Sequence, residues 1–278
     1  DYKLDIPGAL LSIATIGLAC WSLTSGVDHG WASAMTLASI IGAVVAGAAF
    51  VWHERRSAAP MLNLSLFRNG TVRGATIAQV GSAIAMASVM FGLILHFQYA
   101  YGWSPMKAGL ANLPMIATML LATPLSEALI TRFGHRMTCF IGAMALAAGT
   151  AGLGWGVTHG YLAIAIFMVV MTFGLRTVMT ICAIALVDAM PENQTSIGTA
   201  LNDTAQEVGS SVGTAIVGTM LATLVAAHLP EGKWTAAFTD TFFHGESITY
   251  VVLGIVVGVI AGIGALTLTN SRNAEEAH

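Results

Sequence analysis

The stretch Pro191–Ala227, PENQTSIGTALNDTAQEVGSSVGTAIVGTMLATLVAA, governs how the rest of the chain is read. Its second half, Val208–Ala227, is a run of twenty residues without a charge, enough to cross a bilayer as a helix. Its first half carries Asn202, Asp203, Gln206 and Glu207. At about 100° per residue these four fall within about 140° of arc and share one face of the same continuous helix. Just beyond them, Gly209 and Gly213 make a GxxxG step that lets another helix approach closely. A membrane span, a packing seam and two carboxylates thus coincide. Ionisable groups at such depth are costly and usually face a bundle interior or a watery cavity.

Composition agrees. Of 278 residues, 56% are hydrophobic and 9% charged, with a mean hydropathy of +0.76. A soluble domain carries about 25% charged residues, so the chain falls in the membrane class. A net charge of −3 and the lack of a basic cluster argue against a nucleic-acid partner. Cys20, Cys139 and Cys182 are far apart in apolar runs and read as small hydrophobes, with neither a disulfide framework nor a metal site indicated. The chain begins at Asp1 without a signal peptide and is expected to be a piece of a longer polypeptide.

Eight apolar runs are long enough to span: Ile6–Leu23, Ala32–Trp52, Ala75–Phe97, Ala108–Ile130, Met137–Val157, Leu162–Ala189, Ile197–Ala227 and Ile248–Leu268. Their interiors are rich in Ala, Gly and Met, as suits helices packed on helices. No ten-residue alternation indicates a β-barrel. Lys3, Arg55, Arg56, Arg68, Arg73, Arg132, Arg136 and Arg272 fall on one side of the alternating spans, and only Lys107 and Lys233 on the other. Positive charge marks the cytoplasm, so both ends are expected there. Trp31, Trp103, Trp155 and Trp234, with Tyr99, Tyr101 and Tyr161, collect at the outer ends as an aromatic belt. A basic connection, HERRSAAPMLNLSLFRNG, separates the first two spans (residues 1–58) from the last six (59–278), which can be read as three plus three.

Several charges interrupt the runs. Arg176 lies about 22 Å below the outer surface, counted from Tyr161 at about 1.5 Å per residue. A bare arginine there costs at least about 2.5–3.5 kcal/mol. It either contacts Glu207 or Asp203 in a protonation-dependent way, or snorkels to the inner interface. Asp203 and Glu207 either face a cavity, with Asn202 and Gln206 extending the same face, or form a solvated helix start favoured by the dipole. Glu127, near Arg132, reads more simply as an interfacial acid than as a substrate ligand. His96, in FGLILHFQYA, reads as an interfacial histidine rather than a proton relay. The methionines suit either an adaptable binding surface or plain packing. No nucleophile–base pair, phosphate loop or metal-ligand spacing is found. GLGWG at Gly152–Gly156 lacks the preceding strand that a dinucleotide loop needs.

Five stretches, taken in order, resemble the fourteen-span drug:proton antiporters of the major facilitator superfamily, the EmrB/QacA type. LDIPGALLSIATIGLACWSLTSGVDHGW is similar to the seventh span of that family, PMLNLSLFRN to the lead into its ninth, and GWSPMKAGLANLP to the start of its tenth. LITRFGHR resembles the C-half form of a cytoplasmic gating motif, with Arg132, Gly134 and Arg136 in place, Glu127 upstream, and Thr131 where the family has an acid. ALNDTAQEVGSSVGTAIVGT resembles the thirteenth span, and GLR at Gly174–Arg176 departs from the family's usual GLG. The resemblance implies an all-α membrane protein of eight transmembrane helices. Two would be linker helices, and six the C-terminal half of a major-facilitator fold whose N-terminal six-helix half is absent.

The implied activity is proton-coupled efflux of amphipathic, often cationic compounds across the cell membrane, without cofactor, metal or enzymatic chemistry. Its partners would be the lipid bilayer, protons, small amphipathic substrates and the missing half. The alternative is a non-transporting membrane fragment or scaffold whose acids are structural.

Overall fold

The structure, a computed structural model, describes residues 5–60, 62–226 and 229–268. Lys3 and Arg272, two of the cations used to orient the chain, lie outside these residues, as do Ala227, the last residue of the opening stretch, and His228. Every regular element among the described residues is helical. Contacts divide the chain into two units, Asp1–Asn69 and Gly70–His278, a boundary later than the 58/59 division read from the sequence.

The first unit is a helical hairpin. Helix α1 (Ile6–His29) starts where Asp5 accepts the Gly8 N–H and Pro7 fits the first turn. Helix α2 (Ala34–Arg56) starts where Ser33 accepts the Thr36 N–H. The helices run antiparallel: Ser25 and Thr36 hydroxyls meet at 2.9 Å near the turn, and Asp5 and His53 meet at 2.7 Å at the open end. Ile13, Ile41 and Val44 lie exposed on the outside, as expected of helices whose surroundings are apolar. A 3₁₀ turn, Leu64–Arg68, follows.

The second unit is a bundle built on α3 (Gly70–Leu95), which continues through a π-helical turn, His96–Ala100. After it come α4 (Pro105–Ala111), α5 (Leu113–Gly156), α6 (Tyr161–Asp188), α7 (Thr195–Leu224) and α8 (Ala236–Leu266). Helix α3 touches α6, α7 and α8, while α5 packs on α6 and α8. The core between them holds Leu93, Leu146, Leu153, Met171, Leu175 and Leu253, none more than 1% exposed.

Among the described residues, seven helical stretches are long and apolar enough to cross a membrane. The sequence suggests eight because two of its runs, Ala108–Ile130 and Met137–Val157, fall within one stretch of 52 residues, Pro105–Gly156. A straight helix of that size would be about 78 Å long, but this one is not straight. At Gly134 the backbone takes φ 83° and ψ 171°, which breaks the helix. On α6, the Thr177 hydroxyl bonds Ser126 at 2.7 Å, and a Cβ added to Gly142 would lie 3.0 Å from the Thr177 methyl. At the far end, the Tyr161 hydroxyl donates to the Ala111 carbonyl at 2.7 Å, and Gly156 backs onto Ala163 and Ile164. Both arms of α5 therefore run beside the same helix, and the chain reverses at Gly134.

Close approach between helices depends on small residues. On α7, a Cβ at Gly209 would lie 2.5 Å from the Val80 carbonyl, and one at Gly213 2.5 Å from the Ile84 carbonyl, both on α3. The Ser88 hydroxyl donates to the Gly213 carbonyl at 3.0 Å across this seam. Gly149 and Gly174 play the same part between α5 and α6. We therefore expect Gly209→Val to force the helices apart and destabilise the bundle by about 1–3 kcal/mol. Gly109→Ala, whose added methyl meets open space, should leave stability unchanged. Thermal unfolding of the detergent-solubilised variants compares them.

Candidate functional site

Helix α7 has two unlike sides. Ala205, Gly209 and Gly213 are buried, while Asp203 and Glu207 are exposed. Each carboxylate stands two residues before a buried small residue, hence about 200° around the helix from it. The packing seam and the carboxylates thus face opposite ways. Glu207 is the thirteenth residue of α7, well past the first turn where the helix dipole would hold an acid. Asn202 and Gln206 are half-buried between the two sides. The Asn202 carbonyl oxygen accepts the Gln79 amide N–H at 2.6 Å. The same Gln79 nitrogen donates to the Met179 carbonyl at 2.9 Å. One fully buried α3 side chain therefore ties α6 to α7 at the start of the polar face.

Arg176 is exposed on α6. Gly198 sits against Leu186 and Val187, and Asn202 lies near Met179 through Gln79. This antiparallel register sets Arg176 level with Gln206 and Glu207. Among the described residues, however, no ion pair joins Arg176 to Asp203 or Glu207. Near the Gly134 break, Glu127, Arg132 and Arg136 are exposed. The Arg132 guanidinium lies 5.3 Å from the Phe133 ring centroid, and Thr131 donates to the Glu127 carbonyl. No ion pair joins Glu127 to Arg132 among the described residues.

The fully buried titratable pair lies elsewhere. His96 Nδ1 and Glu246 Oε2 are 2.7 Å apart, with side chains 0% and 3% exposed. His96 opens the π turn at the end of α3. Such a wider turn rotates a side chain relative to the helix before it and often marks a functional position. Around the imidazole stand Tyr101, at 4.4 Å between ring centroids, and Phe243, at 4.9 Å. Trp103 stacks on Phe97 beside them. Burial, and after it the Glu246 charge, holds the Tyr101 hydroxyl above its ordinary pKa. At this separation the two side chains share a hydrogen bond, and removing either would leave the other's polar atom buried without that partner. His96 Nε2 and Glu246 Oε1 are buried with no hydrogen-bond partner among the described residues.

His96 is thus buried within the bundle and paired with Glu246. Glu246 escaped the sequence reading because the last apolar run was begun at Ile248, while α8 starts at Ala236. The spacing of Glu246 and Tyr250, four residues apart where α8 turns from mixed to apolar sequence, was the available signal. Two further juxtapositions join residues far apart in sequence. Cys139 and Cys182 lie with their sulfurs 3.8 Å apart, both buried and reduced. Asp5, His53 and Glu54 converge in the first unit.

A bundle of long apolar helices, packed on glycine and carrying titratable groups within it, defines a multi-pass membrane protein. Residues 75–274 match the Major Facilitator Superfamily, and the chain belongs to that family. It is 28% identical over 242 residues to the tetracenomycin C resistance and export protein of Streptomyces glaucescens, covering 84% of this chain and 44% of that one. It is 28% identical over 228 residues to the multidrug resistance protein Stp of Mycobacterium tuberculosis, covering 82% and 42%. With the methylenomycin A resistance protein of Streptomyces coelicolor it shares 29% identity over 272 residues, covering 96% and 53%. The chain spans about half the length of the curated relatives it matches.

If His96 and Glu246 depend on each other, Glu246→Ala should destabilise the bundle by about 3–5 kcal/mol, because it strands a buried imidazole. Replacing both, His96→Phe with Glu246→Leu, should recover most of that loss. Unfolding in detergent across the double-mutant cycle checks the coupling.

Proposed function

We propose that the chain is the C-terminal portion, spans seven to fourteen, of a proton-coupled exporter of amphipathic, often cationic compounds, of the fourteen-span EmrB/QacA type. The observation that carries this reading is the polar side of α7. Asp203 and Glu207 lie on a membrane-length helix with no other helix of their unit covering them. Charged groups at that depth do not face hydrocarbon. That side therefore borders water or further protein, as the wall of a transport pathway does. The names of the relatives, which include resistance and export proteins, support the substrate class, and their greater length supports a missing N-terminal six-helix half.

In this reading the chain crosses the cell membrane eight times with both ends in the cytoplasm. The reversal at Gly134 supports counting α5 as two crossings. Residues 1–58 supply two linker helices and 59–278 the six-helix half. Glu127, Arg132, Gly134 and Arg136 line the cytoplasmic gate. Asp203 and Glu207, four residues apart, are neighbours on the helix, and in this mechanism a proton and an arriving cation compete for the pair. Reprotonation from outside then neutralises the site and releases the cation, so inward proton flow drives export. Asn202 and Gln206 supply hydrogen bonds to the substrate, and Arg176, level with Glu207, attracts its carboxylate in the state that has released a proton.

Two measurements test this. In the complete transporter, Glu207→Gln should impair proton-driven efflux of a fluorescent cation from energised vesicles more than it lowers protein abundance, and Asp203→Asn should do so more weakly. Normal efflux at normal abundance in both variants would reduce the carboxylates to a solvated helix start. For topology, a cysteine placed at position 132 should react with membrane-impermeant reagents only from the cytoplasmic side, whereas strong external labelling would contradict the assignment.

A further inference from the structure

Asp5, His53 and Glu54 meet at the open end of the α1–α2 hairpin, their candidate ligand atoms all within 4.8 Å of one another. Asp5 Oδ1 accepts the Gly8 N–H at 3.0 Å and lies 2.7 Å from His53 Nε2. Glu54 Oε2 accepts the Leu62 N–H at 3.0 Å. The second oxygens of both carboxyl groups, Asp5 Oδ2 and Glu54 Oε1, are buried and have no hydrogen-bond partner among the described residues. Both oxygens stand over Gly8, where an added Cβ would collide with each. Glu54 is only 4% exposed, so its free oxygen is not turned to solvent.

Arg55 and Arg56, the arginines next to Glu54 in sequence, do not neutralise this pair. Both are exposed, and the Arg56 guanidinium lies 4.7 Å from the Trp52 ring centroid. Neither makes an ion pair with Asp5 or Glu54 among the described residues. Two ionised carboxyl groups with oxygens this close would repel, and either a proton held by Glu54 or a small cation between them removes the repulsion.

We propose that Asp5, His53 and Glu54 bind one divalent transition-metal ion of the zinc class, through Asp5 Oδ2, Glu54 Oε1 and the His53 imidazole. One nitrogen and two carboxylate oxygens with a position left open suit zinc chemistry, whereas calcium takes six to eight oxygens. The glycine at position 8 leaves the ion room. The His53 side chain is 26% exposed and opens the site to solvent. The Leu62 N–H on Glu54 Oε2 fixes the carboxylate from behind, as second-layer partners do in metal sites. The ion would tie Asp5 to His53, 48 residues later, and so clamp the two ends of the hairpin.

The test uses the full chain in detergent micelles, with Co²⁺ as a visible-absorbing probe. The expected result is saturable uptake of one ion per chain, with displacement by Zn²⁺ but not by Mg²⁺. Binding should weaken as pH falls, since the imidazole and carboxyl groups must release their protons to bind. Asp5→Asn and Glu54→Gln should each lower affinity by at least about tenfold, with helical content preserved by circular dichroism. Glu192→Gln, at an exposed acid in the second unit, should bind as the parent does. X-ray absorption on the zinc-loaded parent, which needs no variant, should find an imidazole and carboxylate oxygens in the first shell. No saturable Co²⁺ uptake, uptake unchanged by both substitutions, or a first shell of water alone would each overturn the proposal.

Discussion

Within a bilayer, a leucine gains nothing by leaving lipid for another leucine, so helices associate only as far as their backbones can approach. That constraint runs through the whole second unit. Gly209 and Gly213 set α7 against carbonyls of α3, and Gly149 and Gly174 set α5 against α6. At such separations dispersion contacts are dense and a serine hydroxyl reaches a neighbouring backbone carbonyl, as Ser88 does. Helix α3 can serve three partners at once because so many of the residues at its contacts are Ala, Gly or Ser.

Close packing settles distance but leaves rotation and sliding open. The few buried polar contacts restrict both. Gln79 spends one amide nitrogen on two helices, so shifting α6 or α7 by a turn would strand it. His96 and Glu246 do the same for α3 and α8 beneath an aromatic cap. A buried pair of this kind adds little net stability over a well-packed apolar one, yet it strongly penalises every other register. The bundle thus takes cohesion from glycine and alignment from a handful of polar groups.

The helices were readable because span length and apolar runs are local properties. The hydropathy that gave eight runs also explains why one 52-residue stretch holds two of them. What lay beyond the sequence is lateral direction. Depth arithmetic sets Arg176 and Glu207 at compatible heights, and the antiparallel register agrees, but height does not say whether two side chains turn toward each other. Gln79 looked like an ordinary polar residue until its two partners, each about a hundred positions or more away, came into view. Asp5 and Glu54 were separated in the same way, since the chain between them makes a whole hairpin. Glu246 was missed for a different reason: apolar runs start late on a helix whose first turns are mixed, and its acid fell before the run.

The turn at Gly134 bears on how the protein is made. One residue with φ 83° separates two long apolar arms, so there is no loop to thread across the bilayer after the first arm is in place. Arg132 and Arg136 stand on either side of the tip of this turn. Moving that tip across the hydrocarbon would carry both guanidinium groups with it, at a cost far above that of holding it where it emerged. If the two arms are separate crossings, a turn this tight would couple the insertion of one to that of the other, so the glycine that shapes the bundle would also constrain how it enters the membrane.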